Sequence, residues 1–140
     1  MKKSVYIIAM LTILLSCKKS GSSDNSGTSY SLNGYWTRND MEIQISGSSG
    51  YFFKVNSGTW LICLNKGLIS IGSLKLSNIS QTNTSTWSCN DLWFNSSSNP
   101  TAVLWSDPGT IQMSSDGTVI TVSATYNGKT STYSYSRANN

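Results

Sequence analysis

In the run Thr86-Trp87-Ser88-Cys89-Asn90-Asp91-Leu92-Trp93-Phe94, a carboxylate lies between two indoles. In an extended chain alternate residues share a face. Trp87, Cys89, Asp91 and Trp93 therefore project to one side, and Ser88, Asn90, Leu92 and Phe94 to the other. A carboxylate between indoles suits a sugar: the rings stack on its apolar face while the acid accepts its hydroxyl protons. The same group suits a small polar ligand in a barrel mouth. Trp105 precedes Ser106-Asp107-Pro108-Gly109, a turn sequence, and so stands at a strand end where binding side chains concentrate. Trp87, Asp91, Trp93 and Trp105 are the candidate ligand-binding residues. The competing reading places each Trp in the core, where a ring buries about 150–250 Å². Trp60, which shares parity with Ile62 and Leu64, reads as core, and the alternation Tyr133, Tyr135, Arg137 reads as packing.

Catalytic chemistry finds little to work with. The chain has no His, which excludes Ser-His-Asp and Cys-His arrangements. Glu42 is its single Glu, so a carboxylate pair for glycoside hydrolysis would draw on Glu42, Asp40, Asp91, Asp107 and Asp116. Asp40, Asp107 and Asp116 are accounted for by turns. No Gly-x-x-x-x-Gly-Lys loop is present to cradle a phosphate. Two Cys without His supply too few ligands for zinc. These residues point to a non-catalytic protein with no metal and no cofactor. The net charge of +4 rests largely on Lys2, Lys3, Lys18 and Lys19. From Ser31 onward Lys54, Lys66, Lys75, Lys129, Arg38 and Arg137 nearly cancel Asp40, Glu42, Asp91, Asp107 and Asp116. A near-neutral domain offers no footprint for nucleic acid.

The amino-terminal segment has three parts. Lys2 and Lys3 are followed by an apolar stretch over residues 5–15, well short of the roughly 20 residues that span a bilayer. Leu14-Leu15-Ser16-Cys17 ends it. Basic residues before a short apolar stretch are the pattern of a cleaved export signal. The last four residues resemble the lipobox of bacterial lipoproteins. That resemblance implies cleavage before Cys17, a diacylglycerol on its thiol and an acyl chain such as palmitate on the new amine. Each buried methylene then adds about 0.8 kcal/mol of membrane affinity. Lys18 rather than Asp follows the Cys, which by resemblance to Gram-negative sorting implies the outer membrane. The expected organisation is a signal peptide over 1–16, a lipidated Cys and flexible tether over 17–30, and a folded domain over 31–140.

With Cys17 assigned to lipid, Cys63 and Cys89 remain. In an oxidising compartment they form either a disulfide or two buried thiols. A bond between them would close a loop of about 25 residues and stabilise by about 3 kcal/mol.

From Leu32 the chain reads as short alternating runs separated by turn residues. Strands are expected over 34–38, 42–45, 51–55, 59–64, 68–71, 74–79, 86–94, 102–105, 110–113, 119–124 and 130–137. Gly47-Ser48-Ser49-Gly50, Asn56-Ser57-Gly58, Asn65-Lys66-Gly67, Asp116-Gly117 and Asn127-Gly128 supply turns. No segment carries a helical period. Successive hairpins give an antiparallel meander, and a meander of eight or more strands tends to close because closure removes edges.

Gly34-Tyr35-Trp36 near the start and Arg137 in the last strand resemble the lipocalin-type barrel. There a Gly-x-Trp of the first strand packs against an Arg of the last. The resemblance implies that Trp36 and Arg137 close the barrel base through a cation–π contact of about 0.5–2 kcal/mol. The stretch 31–137 is similar to the small lipocalin-like lipoproteins of Gram-negative bacteria, a group without a settled activity. The chain is shorter than secreted lipocalins and lacks their helix before the final strand. An all-β lipocalin-like barrel is the expected fold, with a β-sandwich as the alternative. The expected function is that of a monomeric, membrane-anchored barrel holding a small apolar or amphipathic ligand. The alternatives are a carbohydrate-binding surface module and a structural or protein-interaction lipoprotein.

Overall fold

The structure, a computed structural model, describes residues 29–139. The expected signal peptide, Cys17 and residues 18–28 of the tether lie outside the described residues. The chain forms β1 (Gly34–Arg38), β2 (Met41–Ser46), β3 (Ser49–Val55), α1 (Gly58–Asn65), β4 (Leu74–Asn83), β5 (Thr86–Phe94), β6 (Val103–Trp105), β7 (Gly109–Met113), β8 (Val119–Tyr126) and β9 (Lys129–Arg137). Neighbours pair antiparallel in the cycle β1-β2-β3-β4-β5-β7-β8-β9, and β9 returns to β1. The result is a closed eight-stranded meander barrel, the all-β fold expected from the sequence, and not the alternative sandwich. The short β6 lies beyond the ring and pairs with the last residues of β5, Leu92 to Phe94.

The β8–β9 hairpin shows why these residues form strands. Its turn is Asn127-Gly128 with φ of 49° and 73°, the positive pair that a two-residue hairpin turn needs. On its outer face three hydroxyl pairs stand opposite one another: Thr121 with Ser134, Ser123 with Thr132 and Thr125 with Thr130, at 3.0, 3.0 and 2.8 Å. On its inner face Ile120, Val122, Ala124 and Tyr135 are buried. Trp36, Ile43, Ile45, Phe52, Leu76 and Ile111 complete the barrel core. An eight-stranded barrel is just wide enough to be filled by such side chains.

Two expected strands are corrected. Residues 59–64 lie in α1, and 68–71 form a turn. Trp60, Cys63 and Leu64 follow the i, i+3, i+4 spacing of a helix face, and Trp60 and Cys63 are buried. The helix ends in a Schellman arrangement, in which Gly67 N–H donates to Leu64 O at 3.0 Å and Leu68 N–H to Cys63 O at 2.9 Å. Gly67 supplies the left-handed φ of 71°. Thus Asn65-Lys66-Gly67 is a helix stop, not a hairpin turn.

Candidate functional site

At the end of the barrel marked by the Arg38-to-Met41 turn, the core gives way to a partly open cavity of about 200 Å³. Its walls are Trp60, Leu92, Trp93 and Phe94, and its polar groups come from Arg38, Lys75, Asp91, Ser131 and Tyr133. Helix α1 builds one wall. It presents Trp60 to Phe52 and Phe94, with ring centroids 5.2 and 5.0 Å apart. Its ends are tied to the β5–β6 connection: Thr59 Oγ1 donates to Ser97 O at 2.8 Å, and Lys66 Nζ donates to Asn99 Oδ1 at 2.5 Å and Pro100 O at 2.9 Å.

Lys75 and Asp91 are each 1% exposed, an unusual depth for charged residues. Lys75 Nζ donates to Asp91 Oδ1, to Leu92 O at 2.9 Å and to Tyr133 Oη at 3.2 Å. The Tyr133 hydroxyl in turn donates to Asp91 Oδ2. The ammonium thus has three acceptors, and both carboxylate oxygens are engaged. Such satisfaction is what permits a charge pair inside a core. Burial pulls the Lys75 ammonium below its ordinary pKa, and the neighbouring Asp91 opposes that fall. Burial and then the Asp91 charge push the Tyr133 phenol well above its usual range, so it keeps the proton it donates. Arg38 pairs with Asp40 through Nε at 2.5 Å and Nη2 at 2.8 Å, and its guanidinium lies 4.4 Å from the centre of the Tyr133 ring.

The two faces expected on β5 hold as far as Asp91 and then fail. Asp91 and Leu92 are both buried, and Phe94 turns inward to Trp60. The cause is a change of partner. Cys89 pairs with Gly109 of β7, whereas Leu92 pairs with Trp105 of β6. Ser106 bridges the gap: Asp91 N–H donates to Ser106 Oγ at 2.8 Å, and Ser106 N–H donates to Asp91 O at 2.8 Å. A side-chain hydroxyl replaces a ladder carbonyl, and the extra chain on the partner side bulges.

Of the four candidate ligand-binding residues, Asp91 and Trp93 line the cavity. Trp87 is buried toward the opposite end, beside Tyr30, Leu32 and Ile79. Trp105 is on β6 and 41% exposed. At that opposite end the Arg137 guanidinium lies 4.2 Å from the centre of the Trp36 ring and donates to Ser31 O, Asn33 O and Gly117 O. The disulfide considered between Cys63 and Cys89 is not formed; both are free, buried thiols. Each packs as a small apolar group, Cys63 on the inward face of α1 and Cys89 inside β5. Burial raises both pKa values, that of Cys89 to about 12.

Lys75, Tyr133, Arg38, Trp60 and Ser106 complete the site and were not singled out for it by type or spacing. No local signal marks Lys75: between Leu74 and Leu76, and in step with Ser73 and Ser77, alternation would turn it outward. The assembled cavity can hold a small molecule against aromatic faces over a polar floor whose charges cancel. In comparisons with protein-family models, curated proteins and solved structures, the chain matches none.

Proposed function

We propose that this protein is a lipid-anchored barrel of the Gram-negative envelope, held at the outer membrane through Cys17, that binds a small amphipathic molecule in the cavity at the barrel mouth. The observation that carries the reading is the cavity itself, in which Trp60, Leu92, Trp93 and Phe94 face the buried Lys75–Asp91–Tyr133 network. A few fixed polar groups in an apolar concavity are the usual make-up of a ligand site. The Gly-x-Trp of β1 and the Arg of β9, in contact at the other end, support a lipocalin-like lipoprotein. The network argues against an exposed sugar platform, because Asp91 is buried and already accepts from Lys75 and Tyr133.

Native mass spectrometry of the chain purified from its own host tests this. A small-molecule adduct on the wild type that disappears in Ser131→Trp, which fills the cavity, is the expected result. An apo mass for both chains would leave a structural or protein-contact role in its place. The anchor has its own test: Cys17→Ser should move the protein from the membrane fraction to the soluble one. Unchanged membrane association would sink the lipoprotein assignment.

A further inference from the structure

Beside the mouth cavity, and sharing Trp93 and Phe94 with it, a second cleft of about 420 Å³ opens at the rim of the barrel. It lies between the loop that follows β5 and the β8–β9 turn. Trp93, Phe94 and Tyr126 give it aromatic surface, and Ser97, Asn127 and Lys129 stand among its polar groups. Sites for small ligands run to about 300–1,000 Å³, and this cleft is of that size.

Both of its rims are braced. On the β5 side Asn95 is spent within its own loop: Oδ1 accepts from Thr101 N–H at 3.0 Å and Ala102 N–H at 3.2 Å, and Nδ2 donates to Thr101 Oγ1 at 2.8 Å. Ser96 Oγ accepts from Asn99 N–H at 3.3 Å, and Thr59 of α1 holds Ser97 O. On the other side the Asn127-Gly128 turn closes a hairpin paired along its full length. Walls formed in advance spare a ligand the cost of ordering them.

The polar groups left over define the ligand. Among the described residues, Ser97 Oγ, Tyr126 Oη, the Asn127 amide and Lys129 Nζ make no hydrogen bond, and Lys129 has no ion-pair partner. Hydroxyls and the amide both donate and accept, and the ammonium only donates. A matching ligand therefore carries donors and acceptors close together on a small frame. It also needs an apolar face to lie on Trp93 and Tyr126, whose ring centres are 6.0 Å apart. A sugar ring has both, with hydroxyls around its edge and C–H groups on its face. Among the described residues no carboxylate lines the cleft, and Lys129 is its one charged side chain. That charge favours an acidic sugar over a neutral one.

We infer that the rim cleft is a carbohydrate site that prefers an acidic sugar, with Asn127 and Lys129 as its hydrogen-bonding residues. The inference does not rest on a ligand in the mouth cavity and makes no use of Asp91.

The probes are the methyl glycosides of glucose, galactose and mannose, methyl glucuronide, and sorbitol, which has the hydroxyls but no ring face. Each is titrated into the full chain in a detergent without a sugar head, followed by the amide resonances of Ser96, Ser97 and residues 126–129. A glycoside should shift these amides, and sorbitol should not. Methyl glucuronide should bind about two- to fivefold more tightly than methyl glucoside, the worth of one exposed ion pair. Lys129→Gln should erase that preference. Asn127→Gly removes the amide yet keeps a residue at ease at a φ of 49°, so the hairpin stands. It should weaken glycoside binding about fivefold, the worth of one neutral hydrogen bond. Failure of every glycoside to move these amides, or sorbitol binding as tightly as the best of them, overturns the carbohydrate assignment. Binding that neither variant alters places the sugar elsewhere and overturns the site. A glucuronide no tighter than the glucoside overturns the preference for acid. Each of these failures leaves the mouth-cavity reading standing, and an apo mass in native mass spectrometry leaves this one standing.

Discussion

At the scale of single residues, the Lys75–Asp91–Tyr133 network decides what the barrel mouth tolerates. The two charges are buried and depend on each other and on Leu92 O for compensation. Removing one partner leaves the other buried and unpaired, which costs about 3–5 kcal/mol; replacing all by apolar groups of like size is often neutral or stabilising. Asp91→Ala should therefore lower the unfolding free energy by about 3–5 kcal/mol. The triple variant Lys75→Met/Asp91→Leu/Tyr133→Phe should be the more stable of the two despite carrying more changes. Urea unfolding followed by Trp fluorescence compares them, and a triple variant weaker than the single one contradicts the account. Cys89 sets a second expectation. Its thiol is pushed up to about 12 from an ordinary 9.0 by burial and then by the Asp91 charge, with Lys75 opposing. Above pH 9 the unfolded chain releases this proton while the folded chain keeps it, so stability falls as pH rises from 9 toward 12. One such group contributes a slope of up to about 1.4 kcal/mol per pH unit. Cys89→Ala should be less stable at pH 7 but lose less between pH 9 and 10. Above pH 10 the buried Tyr133 and Tyr135 add the same sign of dependence in both chains. Denaturation midpoints at half-unit pH steps give the two slopes, and parallel slopes would remove Cys89 as their source.

At the scale of elements, close approach and backbone handedness govern what can change. A Cβ on Gly109 would lie 2.3 Å from Ser123 O and 2.9 Å from Ala124 Cα, both backbone atoms of β8 that cannot swing aside. Gly109→Ala should push β7 off β8 at an overpacking cost of about 1–3 kcal/mol, and the thermal unfolding midpoint would register it. Gly67 is the opposite case: nothing stands near its missing Cβ, so Gly67→Ala carries the left-handed backbone penalty alone, about 1–2 kcal/mol. Gly67→Asn should cost less, because Asn tolerates that region; equal losses for Ala and Asn would show that handedness is not the issue. These elements also show which parts of the fold were legible beforehand. The β8–β9 hairpin was legible because its turn, outer hydroxyls and inner aliphatics agree. Helix α1 was misread because Trp60, Ile62 and Leu64 alternate as a strand would, while Trp60, Cys63 and Leu64 also mark a helical stripe. In so short a segment the two periods compete, and the packing of Trp60 on Phe52 and Phe94 decides. Of the four candidate binding residues Asp91 and Trp93 line the cavity, but what surrounds them there does not follow from the sequence pattern. Their partner Lys75 is sixteen residues from Asp91 across the β4–β5 pairing, and Tyr133, forty-two residues from Asp91 on β9, reaches them only when the ring closes. The bulge at Ser106 also interrupts the alternation on which the one-face reading of β5 rested, so that residues of both parities line the cavity.

At the scale of the whole molecule, closure depends on one short seam. Strands β8 and β9 pair along their full length, from Val119↔Ser136 to Tyr126↔Lys129, whereas β1 and β9 pair at Trp36↔Arg137 and Thr37↔Ser136. Ala138 N–H extends that seam with a bond to Tyr35 O at 2.9 Å. What the seam lacks in ladder bonds Arg137 supplies. Its guanidinium covers Trp36, reaches Ser31 O at 2.6 Å and Asn33 O at 3.2 Å on the entering segment, and takes Gly117 O at 3.0 Å on the β7–β8 turn. One side chain joins three parts of the chain that are remote in sequence, and a Lys with its single nitrogen cannot reproduce that fork. Arg137→Ala should therefore open the ring at its seam before it melts the sheet. In hydrogen–deuterium exchange, the amides of β1 and the carboxy-terminal residues of β9 should exchange at least tenfold faster, as expected if local opening there becomes easier by about 1.4 kcal/mol. The turn-proximal half of the β8–β9 hairpin should keep its protection, because its ladder and hydroxyl pairs do not pass through Arg137. Arg137→Lys should fall nearer to Ala than to the wild type. Uniform acceleration over all nine strands would mean that the barrel opens as one cooperative unit and that the seam has no separate stability.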